Sequence, residues 1–125
     1  MKSINLTVDI NELYKLTDFI HEIILKEDLK VDLIVEEVFT NIVNYSKTDF
    51  LTINVKYDKP TLTIEFIDNG IEFNPLLKKN PTLPNNIDEA HIGGLGIFLT
   101  KEMADKLDYQ YINGENHLKI IKKIE

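Results

Sequence analysis

Three groups of residues in this 125-residue sequence have types and spacings that could do chemistry. The first is Glu37, Asn41 and Asn44, inside a run from Leu29 to Lys47 that has helical apolar spacing and neither Gly nor Pro. At about 100° per residue, with Glu37 at 0°, Asn41 lies at about 40° and Asn44 at about −20°. Ile34, Tyr45, Val38, Val31, Ile42 and Val35 fill the arc from roughly 60° to 160°, so the polar stripe borders the core-facing side. A carboxylate and two carboxamides there could hold a metal ion beside a reacting water. Asparagine offers a neutral oxygen to a hard cation, and Mg²⁺ takes only one or two protein ligands when phosphate oxygens supply the rest. The same stripe also fits the solvated flank of an ordinary amphipathic helix.

The second group, Asp68-Asn69-Gly70, ends an apolar strand. A carboxylate at a buried strand end can accept a hydrogen bond from an exocyclic amine, and the glycine lets backbone approach a flat ring. On its own it is equally an ordinary turn. The third group is His91-Ile92-Gly93-Gly94-Leu95-Gly96, which opens a further helical run. Its glycines free backbone N–H groups to face an anion, and the helix N-terminus adds partial positive charge. Lys101, Lys78 and Lys79 are cations able to assist. No Gly-Lys-Ser/Thr follows and no βαβ unit surrounds the glycines, which excludes the Walker and dinucleotide fingerprints. A hinge followed by a helix cap is the other reading of this run.

These groups need elements to position them. Ile4–Val8 alternates as a short first strand. Asp9 or Asn11 can cap a helix that continues to about Lys26, and the Leu29–Lys47 helix follows. Leu51–Tyr57 and Leu62–Ile67 alternate on either side of Lys59-Pro60, an antiparallel hairpin with one buried face. Residues 74–91 hold Pro75, Pro81 and Pro84 with few core-type side chains, which suits a lid or a surface loop. A helix from Gly96 and two strands, Tyr109–Ile112 and His117–Ile124, close the chain around the Asn113-Gly114 turn. The order β-α-α-β-β-lid-α-β-β predicts one domain over 1–125. Its architecture is a two-layer α/β (α+β) sandwich, with a mostly antiparallel sheet and helices on one face.

Composition removes several function classes. All 14 cationic residues are lysines, against 21 Asp+Glu, for a net charge of −7. With a pI near 4.9 the chain is not expected to bind nucleic acid, because that affinity comes from a basic face neutralising phosphates. The absence of cysteine excludes disulfides, a thiolate zinc site and a Cys nucleophile. His21, His91 and His117 are too scattered for a metal cage. No apolar run reaches the length of a membrane span and the N-terminus is not a signal peptide, so a cytoplasmic protein without membrane contact is expected. With no arginine, any bound phosphate must be met by lysine, backbone N–H groups or a metal ion.

The order of these motifs resembles the GHKL (histidine kinase-like) ATPase superfamily, and most of all the small bacterial anti-sigma factors that are also serine-protein kinases. Val35–Ser46 is similar to that family's N-box, Ile67–Pro75 to its first glycine box, and Ile92–Lys123 to its second box and closing hairpin. The resemblance implies a Bergerat-type ATP-binding fold that takes ATP and Mg²⁺ under a lid at about 74–95. It implies Glu37 as catalytic base, Asn41 as Mg²⁺ ligand, and Asp68 as the acceptor of the adenine amine with Gly70 at the adenine-side turn. Gly94 and Gly96 would line the phosphates under the lid; Gly93 and Leu95 of the same run, Lys101 as a helper cation and Asn44 of the helix stripe are further candidate nucleotide contacts. It further implies phosphorylation of a serine or threonine on an anti-anti-sigma (STAS-type) partner and sequestration of a sigma factor; Ile20, Ile23 and Ile24 of the first helix fit either the homodimer surface of kinase relatives or ordinary core packing. Three positions depart from the family pattern. Tyr45 stands where many relatives have His, Glu72 replaces a box glycine, and the closing strand lacks the usual threonine. Besides a fold of this type that has lost its nucleotide, two other readings remain at this point. One is an ATP-binding interaction module without turnover. The other is a stand-alone histidine kinase-type ATPase domain, disfavoured because no phospho-acceptor hairpin precedes residue 1.

Overall fold

The computed structural model describes residues 1–72 and 102–124. Five strands form one sheet: β1 (Lys2–Leu6), β2 (Leu51–Asp58), β3 (Thr61–Asp68), β4 (Lys106–Ile112) and β5 (Glu115–Lys123). Their spatial order is β1-β2-β3-β5-β4 and each neighbouring pair is antiparallel. Two helices, α1 (Leu13–Ile24) and α2 (Leu29–Asn41), lie between β1 and β2 in sequence. This is the α+β sandwich that the sequence pattern predicts.

Each helix begins where a side chain satisfies free backbone donors. Asp9 Oδ1 accepts from Asn11 N at 2.9 Å to start a 3₁₀ turn over Ile10–Glu12, which leads into α1. Asp28 Oδ1 accepts from Val31 N at 3.0 Å and caps α2. Leu16, Ile20 and Ile24 recur every four residues and bury one face of α1. Val31, Ile34, Val35, Val38 and Phe39 do the same for α2. They meet the inward residues of the strands, among them Leu51, Ile53 and Val55 on β2 and Leu62, Ile64 and Phe66 on β3. His21 Nε2 lies 2.7 Å from Asp32 Oδ1 and ties α1 to α2 at the edge of this core. The opposite face of the sheet is polar, with Asn54 Nδ2 donating to Glu65 Oε1 at 3.3 Å.

Several boundaries differ from the sequence expectation. β1 ends at Leu6, before Val8, because Asp9 N turns back to donate to Thr7 O at 2.9 Å. β4 starts at Lys106, ahead of Tyr109, and pairs with β5 along its whole length, from Lys106↔Ile121 to Ile112↔Glu115. β5 runs over Glu115–Lys123, where His117–Ile124 is expected. The largest difference is in the second helix. Regular α-helix stops at Asn41, and Ile42–Ser46 continue as a π-helical turn that ends at Lys47 in the left-handed region, φ 55°. Glu102 and Met103 are helical. The expected lid and the start of the third helix lie outside the described residues.

Candidate functional site

The C-terminal end of α2, its π turn, and the ends of β3, β5 and β4 enclose an open cavity of about 450 Å³ including its mouth. Val38, Ile42, Phe66 and Leu118 form its apolar walls, and Tyr45 and Tyr109 flank them. Among the described residues the buried polar or charged side chains are Asn41, Ser46, Asp68 and Asn116, and all four line this cavity. Buried polar groups are costly unless paired, so their collection in one place marks a site and not a packing accident.

Asp68 is the last residue of β3 and only 4% exposed. Antiparallel register sets it directly opposite Asn116 on β5. Gly70 N donates to Asp68 Oδ1 at 2.8 Å, and Asn116 Nδ2 donates to the same oxygen at 3.0 Å. Asn116 Nδ2 also donates to Ile71 O at 2.8 Å, and Tyr109 OH donates to Asn116 Oδ1. The carboxylate is therefore held from one side. Among the described residues no hydrogen bond reaches Oδ2, which stays available as an acceptor. Burial pushes the Asp68 carboxyl above the ordinary aspartate range, while the Asn116 and Gly70 hydrogen bonds pull it back. An acceptor of this kind between apolar walls suits the amine of a flat heteroaromatic ring.

Gly70 is required for a reason the sequence does not reveal. A Cβ there would stand 2.0 Å from Ser46 O, and Ile71 N donates to that carbonyl at 2.8 Å. The close backbone approach that this glycine makes possible is to the end of the second helix.

Asn41 is buried, and its Nδ2 donates to Glu37 O one turn earlier at 2.9 Å. That bond fixes the amide so that Oδ1 is left as the acceptor, with no partner among the described residues. One neutral oxygen of this type fits a Mg²⁺ ion whose other ligands are phosphate oxygens and water. No group of three or more His, Cys, Asp or Glu able to hold a metal occurs among the described residues. Glu37 is half-buried on the same flank. Desolvation raises its carboxyl above the ordinary glutamate range, and the Glu36 carboxylate adds to the shift.

Asn44, placed on the stripe by ideal helix geometry, is exposed and does not line the cavity. The π turn is the cause. Closing i→i+5 rings advances each residue by less than 100°, so positions after Asn41 rotate away from their α-helical directions. Tyr45, expected on the core-facing arc, is 38% exposed at the cavity rim, whereas Ser46 is turned inward and 6% exposed. Gly93, Gly94, Leu95, Gly96 and Lys101 lie outside the described residues.

Three cavity residues escape the sequence reading: Ser46, Tyr109 and Asn116. Asn116 carried a usable signal, since the Asn113-Gly114 hairpin fixes a register that puts it on the same face as Leu118 and Ile120. A polar residue at an inward position of a closing strand is a site candidate. Ser46 gave no such signal, because its inward direction depends on the π turn.

Comparison with known proteins decides the family. The histidine kinase-like ATPase domain matches residues 12–122. The chain belongs to this family. A curated relative, the serine/threonine-protein kinase BtrW of Bordetella bronchiseptica, is 28% identical over 87 residues, covering 66% of this chain. The match spans 61% of that kinase's own length. Among solved structures, the Acinetobacter baumannii histidine kinase AdeS superposes with a TM-score of 0.54 at 10% identity, over 100% of this chain and 70% of that one, a likeness of fold. Membership in the histidine kinase-like ATPase family implies ATP as the ligand and a kinase-type ATPase as the class of activity. No helix among the described residues is long and apolar enough to cross a membrane.

Proposed function

We propose that this histidine kinase-like ATPase domain binds ATP with its adenine in the Asp68 cavity and phosphorylates a serine or threonine of an anti-anti-sigma (STAS-type) protein, acting as an anti-sigma regulatory factor. The observation that carries the nucleotide site is the gathering of Asn41, Ser46, Asp68 and Asn116 around one cavity with Asp68 Oδ2 open to it. Similarity to a named serine/threonine-protein kinase supports the choice of acceptor. The sigma factor as a second partner and a cytoplasmic location belong to the same proposal and rest on the family resemblance. Ile20 and Ile24, candidates for a dimer surface, are instead buried in the core with Ile23 packed against it, so a homodimer would have to use other residues.

In this reading Asp68 Oδ2 accepts the adenine amine and the apolar walls take the faces of the ring. Asn41 Oδ1 would hold the Mg²⁺ that accompanies the nucleotide, whose contribution when bound is to neutralise phosphate charge. Glu37, one helical turn before Asn41, takes the proton of the attacking hydroxyl as its oxygen bonds the γ-phosphorus and the bond to ADP breaks. A carboxylate whose affinity for protons is raised by burial is better matched to that task than an exposed one. With no arginine in the chain, the remaining phosphate charge falls to lysines such as Lys101 and to backbone N–H groups around Gly93–Gly96.

The test is a titration with Mg·ATP followed by transfer of labelled γ-phosphate to a STAS-type partner. Glu37→Ala is expected to bind ATP like the parent and to transfer phosphate about 10²–10⁴-fold more slowly. Equal rates would remove Glu37 from the reaction. Binding without any transfer by the parent would leave an ATP-binding interaction module in place of a kinase.

A further inference from the structure

The Ser46 hydroxyl is unexplained by the network around Asp68. Ser46 is 6% exposed, and its Oγ is the buried side-chain polar atom among the described residues that has no hydrogen-bond partner. The backbone carbonyl of the same residue is engaged with the adenine-side turn. Ser46 O accepts from Ile71 N at 2.8 Å, and a Cβ at Gly70 would stand 2.9 Å from Ser46 Cβ. Gly70 N in turn donates to Asp68 Oδ1 at 2.8 Å. Ser46 is thus clamped beside Asp68 through Gly70, and both residues line one cavity. A buried hydroxyl left unpaired costs free energy, and the π turn that rotates it inward adds an irregularity to the helix. Both features make sense if the partner is a ligand.

We propose that Ser46 Oγ is a specificity-determining contact of the nucleotide base, donating its hydrogen bond to the ring nitrogen that flanks the amine taken by Asp68. This rests on the assignment of the cavity to adenine. The pair then reads two adjacent features of one base edge. Asp68 Oδ2 is an acceptor facing an amine, and Ser46 O–H is a donor facing a ring nitrogen. Adenine presents that amine beside a ring nitrogen on two edges, through N1 of its six-membered ring or N7 of its five-membered ring. A base with a carbonyl in place of the amine sets oxygen against the Asp68 carboxylate.

Calorimetric titration of parent and Ser46→Ala with Mg·ATP, 1-deaza-ATP and 7-deaza-ATP tests this, alongside thermal melts of the unliganded proteins. Ser46→Ala is expected to bind ATP about 2- to 10-fold more weakly, the span of one neutral hydrogen bond. With the one analogue that lacks the accepting nitrogen, parent and variant should bind equally. Without ligand, Ser46→Ala should melt at the parent's temperature or a few degrees higher, since it removes an unpaired polar atom. A purely structural serine would give the opposite sign in the melt and the same loss for every nucleotide. Should Ser46→Ala not fold, Ser46→Cys keeps the volume with a weaker donor and should show the same cancellation at smaller amplitude. ATP affinity unchanged by Ser46→Ala, or a loss equal across all three nucleotides, overturns the role of Ser46 alone. A parent protein that binds none of the three overturns the adenine assignment as well.

Discussion

The interface between the helices and the sheet is built in two different ways along its length. Around Leu16, Ile20, Phe39, Ile53 and Leu62, each at 0–1% exposure, apolar side chains fill the space between the two layers. Around Asp68 the same layers part. Val38, Ile42, Phe66 and Leu118 still face one another, but the space between them is open and its buried polar atoms are only partly paired. The closed half gains its stability from burial and packing, and each atom removed there is felt as a void. The open half gives up such contacts. Its free acceptors on Asp68 and Asn41 and its unpaired hydroxyl on Ser46 are groups that a ligand can satisfy. Substitutions should therefore separate cleanly, with stability changing in one half and ligand affinity in the other.

The largest effect is expected from Phe39→Ala, about 3–5 kcal/mol less stable by denaturant melt because a fully buried ring leaves a cavity. At temperatures where this variant remains folded, its ATP affinity should equal the parent's. A loss of affinity there would break the division between the two halves. Next is Asp68→Ala, expected to weaken ATP binding by about 1.5–3 kcal/mol, the worth of a hydrogen bond to a charged group, measured by calorimetry. Its stability should move far less than that of Phe39→Ala, because relief of a desolvated carboxylate opposes the loss of the Gly70 and Asn116 bonds.

A smaller effect sharpens the picture within the open half. Tyr109→Phe removes the donor to Asn116 Oδ1 and loosens the amide that holds Asp68. About 0.5–1.5 kcal/mol of ATP affinity should be lost, with no change for Asp68→Ala carrying the same substitution. Independent, additive losses would show that Tyr109 does not act through Asp68.

The subtlest prediction concerns pH. Asp68 has a raised carboxyl in the folded state, so between the ordinary aspartate range and its raised value the folded protein binds more protons than the unfolded chain. Its contribution to stability therefore rises as pH falls through that window and is lost as pH climbs out of it. Ligand affinity has the opposite sign, since the ionised carboxylate is the better acceptor. The difference between parent and Asp68→Asn should thus trend with pH in opposite directions in melts and in titrations. Parallel trends in these two differences would contradict Asp68 as the group responsible.

Much of the framework is legible in local patterns. The i, i+4 spacing of Leu16, Ile20 and Ile24, the capping carboxylates of Asp9 and Asp28, and the alternation through Leu51–Asp58 and Thr61–Asp68 each follow from helix and strand periods. The placement of Glu37 and Asn41 on the border of the buried face follows from the same arithmetic. Asn44 and Tyr45 do not, because a single i→i+5 turn changes the angle per residue and no composition rule announces such a turn.

Sequence alone thus determined the order of elements, the apolar faces, the lack of arginine that leaves phosphate charge to other groups, and the motifs by which the chain joins the histidine kinase-like ATPase family. These are properties of neighbouring residues, or of residue type, and need no knowledge of long-range contacts. Tertiary structure decided which polar atoms are left open. Asp68 and Asn116 are 48 residues apart and meet only through the β3–β5 register. Ser46 is turned inward only where the end of the second helix is pressed against Gly70 and Ile71. A hydrogen bond consumes one face of a carboxylate or amide and leaves the other free. Which face is free depends on partners that the fold brings from distant parts of the chain.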